Sequence, residues 1–119
     1  MAKKRPIVNI DNKPEIHLEN ELFQNEVLRP VLKMQHEITL KLFNVHIKNL
    51  GIIWNDLKKS KKTQCVENQI SKNIQLKNLI IGIVVGQFKE FEMDKYLINS
   101  RDYNKRILQM TIQRIVSTI

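Results

Sequence analysis

The sequence predicts an all-α fold, and three observations carry that prediction. Between Glu19 and Leu50, the residues Phe23, Val27, Val31, Met34, Ile38, Leu42 and Val45 follow at steps of three and four, one face of a helix. The chain holds only three glycines and three prolines, too few for the tight turns of a loop-rich all-β protein. The one strongly β-branched run, Ile80 to Val85, has no second run of similar quality to pair with, and a lone strand would leave its backbone groups unsatisfied. At 119 residues this is one domain with a real core. The expected architecture is a compact bundle of about five helices. A long kinked N-terminal helix and the C-terminal helix pack around an apolar central helix at about 74–88.

Residues 1–17 read as a flexible basic arm ahead of a single helical domain at 18–119. Pro6, Pro14, Asn9, Asp11 and Asn12 interrupt the arm, and no period runs through it. The long stripe then begins, with Glu15, Glu19, Glu21 and Glu26 toward its N-terminal end and Lys41 and Lys48 toward its C-terminal end, as the helix dipole favours. Pro30 removes one backbone hydrogen bond and disfavours helical geometry at Arg29. Either the helix kinks near Val27 to Arg29 or a second helix starts with Pro30 in its first turn. The stripe keeps its phase across Pro30, which favours one kinked helix. Gly51 fits the position just past its end.

Ile52, Ile53, Trp54 and Leu57 form a short apolar connection, and the lysine run at 58–62 reads as exposed surface. From about Thr63, the residues Cys65, Val66, Ile70 and Ile74 mark a three-turn helix leading to the central one. That central stretch has no polar side chain from Leu79 to Gly86, so it should be covered on every side. Ser71 is its expected cap. Gly82 and Gly86 are four apart and share one helical face. They either admit a close neighbour or are incidental, the second ending the helix. A short helix near Lys89 to Ile98 follows. Ser100 can cap the last helix, whose stripe is Leu108, Ile112, Ile115 and Ile119.

The segments Glu21 to Lys33 (ELFQNEVLRPVLK), Gly82 to Phe88 (GIVVGQF) and Asn99 to Arg106 (NSRDYNKR) together resemble a family of small bacterial proteins of unknown function. The resemblance covers most of residues 21–119 and implies an all-helical fold. Members are sometimes labelled glyoxalase, a fold of paired βαβββ modules with His and Glu metal ligands on strands. Neither is visible in this sequence, and the resemblance brings no catalytic residues.

The chemistry available is narrow. Cys65 is the single cysteine, which excludes an internal disulfide and a Cys-x-x-Cys metal site. His36 and His46 are nearly three turns apart along a helix, too far to share an ion, and no Glu-x-x-His pair occurs. No glycine-rich phosphate loop opens a helix. No metal, cofactor or catalytic residue is expected. The central run is too short to span a membrane, and no apolar signal follows the basic N-terminus, so a cytoplasmic setting is expected. One polar constellation stands out. Glu26 is expected to pair with Arg106, and Arg29 to reach the Asn99–Ser100 turn. That network either fixes helix packing or forms an anion or ligand site on Arg29, Lys33, His36 and Arg106.

The favoured function is therefore non-enzymatic: protein contacts, with a homodimer expected, through Gly82, Gly86, Ile112, Ile115 and Ile119. The alternative draws on the net charge of +8. It is sequence-nonspecific nucleic-acid binding through Lys3, Lys4 and Arg5 with Lys58, Lys59, Lys61 and Lys62. Against it, no aromatics are interleaved with the lysines for base stacking. A small ligand-binding protein or enzyme on the Arg29, His36 and Arg106 region is the third reading.

Overall fold

The computed structural model describes residues 12–119, and among them every regular element is a helix. Helix α1 (Asn12–Phe23) leads through a π-helical turn (Gln24–Leu28) into α2 (Arg29–Met34). After Gln35 comes α3 (His36–Asn49), then a 3-10 turn (Trp54–Asp56), α4 (Lys59–Lys72), α5 (Ile74–Val85), α6 (Glu90–Ile98) and α7 (Ser100–Val116). Residues 1–11, with Lys3, Lys4 and Arg5, lie outside the described residues. Helix α1 starts inside the stretch read as an arm. Pro14 falls in its first turn, where a missing N–H costs nothing.

From Asn12 to Asn49 the chain is helical almost throughout, and at 1.5 Å per residue such a rod is about 57 Å long. The molecule measures 59 × 29 × 22 Å, so this rod sets its long dimension. Pro30 does not break it. The ring of a helical proline collides with the carbonyl four residues back, which here belongs to Glu26. The wider π turn covers that carbonyl, and the Arg29 N–H reaches five residues back to Gln24 O. A second irregularity follows at Gln35, whose φ of −96° and ψ of 8° lie off the helical values. The Thr39 hydroxyl donates to the Gln35 carbonyl at 2.8 Å, an interaction that bends helices.

These two irregularities move the buried face. Phe23, Val27 and Val31 are buried as their spacing predicts. Beyond Gln35 the buried positions are Thr39, Phe43 and Ile47, and Met34, Ile38 and Val45 are each more than half exposed. Burial thus follows steps of four from Phe23 to Ile47. Four residues exceed one 3.6-residue turn, so the contact line winds around the helix. The straight stripe read from the sequence leaves the core at Met34.

Helix α7 is the hub of the remainder, packing on α4, α5, α6 and α2, and α5 lies between α7, α4 and α3. Leu76, Ile80 and Val84 of α5 are fully or almost fully buried. Its cap is Asn73, whose Oδ1 accepts from the Leu76 N–H at 2.9 Å, and not Ser71. Contrary to the expectation of cover on every side, α5 shows solvent Ile74, Leu79, Gly82 and Gly86. Asn99 and not Ser100 holds the cap position of α7. Gly51 has a φ of +78°, so it ends the long helix as predicted.

Six of the seven aromatic residues form two groups. Phe23, Phe88, Tyr96 and Tyr103 bind α1, the turn after α5, α6 and α7 into one cluster, with Phe23 and Tyr103 ring centres 4.5 Å apart. Phe43 and Trp54 meet edge-to-face at 5.8 Å and seal the other group.

Candidate functional site

Charge, exposure and cavity shape divide the predicted site residues among four places. Arg29 and Lys33 lie one turn apart on α2 and line a cavity of about 440 Å³ against α7. The third cation there is Arg114, and Arg106 lines a different groove with Glu21, Gln24 and Asp102. The expected cluster of Arg29, Lys33, His36 and Arg106 is therefore split. Helix α7 rises about 12 Å between positions 106 and 114, and only the latter reaches α2. His36 is half-buried at the start of α3 and lines neither cavity.

The network predicted at the kink takes other partners. Arg29 Nε donates to Asn25 Oδ1 at 3.0 Å, within its own helix, and not to the Asn99–Ser100 turn. The Asn99 amide donates instead to Asn20 Oδ1 at 3.3 Å. Glu26 is exposed and does not line the groove that holds Arg106. Tyr96 completes the region by donating its hydroxyl to Asn104 Oδ1.

The four lysines occupy the beginning of α4. Lys58 stands at the cap, and Lys59, Lys61 and Lys62 fill the first turn without an acidic residue or a side-chain cap. Lys62 lies over the Trp54 ring, 5.7 Å from its centre. The sequence separates these two residues, and the fold joins them.

Of the predicted contact residues, Ile115 is 1% exposed and belongs to the core, while Ile112 and Ile119 are partly buried against it. Gly82 has open space where a side chain would stand, so no helix of this fold approaches it. A Cβ at Gly86 would lie 2.9 Å from the Gly82 carbonyl oxygen. This glycine is thus fitted to the closing turn of its own helix, where the Gly86 N–H donates to that same oxygen at 2.8 Å.

An exposed apolar stripe running from Met34 at the end of α2 along α3 is the feature that sequence reasoning misses. Met34, Ile38 and Val45 are 59%, 55% and 51% exposed, with half-buried Leu42 between them. Their spacing was the signal, although it was read as a core face. Glu37, Lys41 and Lys48 run beside them.

Two further reactive groups lie apart from these residues. His46 Nε2 donates to Gln69 Oε1 at 2.8 Å, tying α3 to α4. Burial pushes the Cys65 thiol above its ordinary value, which disfavours the thiolate. Among the described residues no three His, Cys, Asp or Glu side chains gather to hold a metal ion. None of the described helices is long and apolar enough to cross a membrane. No protein-family model, curated protein or solved structure matches the chain.

Proposed function

We propose that this chain is a non-enzymatic docking protein that acts through protein contacts, the first of them with a second copy of itself along α3. The observation that carries this reading is the row of exposed Met34, Ile38 and Val45, about 17 Å of helix, with half-buried Leu42 joining the row to the core. Helices present such i, i+4, i+8, i+11 rows to other helices.

Charge selects the partner. Glu37 and Lys41 sit one turn apart along one edge of the stripe. Two antiparallel copies centred between Thr39 and Leu40 bring Met34 of each against Val45 of the other. The same arrangement sets Glu37 of each copy beside Lys41 of its mate, twice by symmetry. A parallel two-fold pairing would turn this edge of each copy to the opposite side of the interface and lose both pairs.

Light scattering tests the reading. At about 100 µM, a range suited to a small helix-on-helix interface, the mass should approach twice the 14.1 kDa of the chain. Ile38→Glu, at an exposed position that tolerates a charge, should return it to a single chain. Leu79→Glu, on the exposed face of α5, should leave it doubled. A single-chain mass at every concentration defeats the proposal, as does dissociation by Leu79→Glu but not by Ile38→Glu.

A further inference from the structure

The cavity between α2 and α7 carries a second inference, independent of the dimer. Arg29 and Lys33 reach it from successive turns of α2, and Arg114 faces them from α7. No Asp or Glu lines it. Three like charges around one space repel one another, and the more so where part of the surroundings is apolar protein. The floor is apolar: Leu32 and Met110 are 3% and 7% exposed, and Pro30 lies beside them.

Two details show that the cations are placed and not merely solvated. Arg29 Nε is already engaged by Asn25 Oδ1, which orients the guanidinium plane and leaves its terminal nitrogens free of that contact. Arg114 Nε is sealed from solvent and has no acceptor among the described residues. An atom sealed from solvent does not line the cavity, so Arg114 offers an anion there its terminal nitrogens, and its Nε–H reports on the guanidinium from behind.

We propose that this cavity binds a small phosphate monoester. Its doubly charged head is held by the Arg29 and Arg114 guanidinium groups with Lys33, and its apolar body rests on Pro30, Leu32 and Met110. Three cations match a phosphoryl dianion better than a single carboxylate, and two guanidinium forks match its geometry. The volume of about 440 Å³ suits a small molecule.

The test follows the arginine Nε–Hε signals by nuclear magnetic resonance during titration with phenyl phosphate, inorganic phosphate and phenol at constant ionic strength. The Arg114 signal should move saturably with phenyl phosphate, about tenfold more tightly than with inorganic phosphate. Phenol should leave it unmoved. Lys33→Gln, at an exposed position, should weaken binding severalfold, and Arg114→Lys, which keeps the charge and removes the fork, by about tenfold. Equal affinity for the two phosphates would overturn the ester assignment and leave a bare anion site. No saturable movement up to about 10 mM, or binding unchanged in Lys33→Gln and in an Arg114→Lys protein that retains its helical circular dichroism, would overturn the site altogether.

Discussion

Tyr103 shows how one side chain joins packing to pH dependence. Its ring lies against Phe23 in the aromatic cluster and is 5% exposed. Burial raises the phenol above its ordinary value, and the negative charges of Glu19 and Asp102 raise it further. The folded protein therefore holds this proton more tightly than the unfolded chain, whose tyrosine titrates near about 10. Its stabilising contribution is complete below that value and is lost as pH rises above it, toward the higher folded value. Tyr103→Phe keeps the ring and removes the proton. Urea unfolding of both proteins from about pH 8 to 11 should show the native protein losing stability relative to Tyr103→Phe only in the alkaline part of that range. Parallel curves would show that Tyr103 ionises alike in both states. The Asp102 part of this coupling is visible in the sequence, whereas the Glu19 part is not, because Glu19 lies far from Tyr103 along the chain. At the same scale, Gln35 and Thr39 hid the core. Both are polar, both are buried, and Thr39 is satisfied by a carbonyl one turn back, which no hydrophobic pattern reveals.

Among the elements, helical character is legible in the sequence, the ends only in part, since Asn73 and Asn99 take the cap positions expected of Ser71 and Ser100, and the faces least. The glycine stop at Gly51, the helical character of the β-branched run and the irregularity before Pro30 all follow from local chemistry visible in the residues. The direction each helix faces depends on neighbours, so the Met34–Val45 stripe reads as interior although Met34, Ile38 and Val45 are exposed, and the Gly82 face reads equally as interior or as contact surface. Helix α4 adds an electrostatic conflict that the sequence did display. Its first turn holds Lys59, Lys61 and Lys62, with no acid, at the end where the helix dipole is positive. These residues repel one another and the dipole together. Lys59→Glu reverses one charge at that end and places a carboxylate three residues before Lys62. It should stabilise the protein by about 0.5 kcal/mol at low salt, a melting temperature higher by about 2 °C. The gain should fade as salt is raised. An unchanged or lowered melting temperature at low salt would mean that Lys59 makes a contact worth more than the dipole costs.

For the whole molecule, the balance lies between a net charge of +8 and an apolar stripe that the fold leaves uncovered. Two copies repel over a distance set by ionic screening and attract only on contact. Added salt therefore weakens the repulsion more than it weakens the two Glu37–Lys41 pairs, which are few and partly exposed. Self-association along α3 should strengthen between about 50 and 300 mM salt, whereas nucleic-acid phosphate contacts by Lys58, Lys59, Lys61 and Lys62 would weaken. Thermal unfolding gives a second reading of the same equilibrium. If folded chains pair and unfolded chains do not, a hundredfold rise in protein concentration adds about 2.7 kcal/mol per dimer, half of it per chain. The melting temperature should then rise by about 4 °C at 300 mM salt, and the rise should vanish in Ile38→Glu. A melting temperature independent of concentration in the native protein would leave the α3 stripe without a second copy. A dimer that weakens with salt would place the attraction in charge pairs and not in Met34, Ile38, Leu42 and Val45.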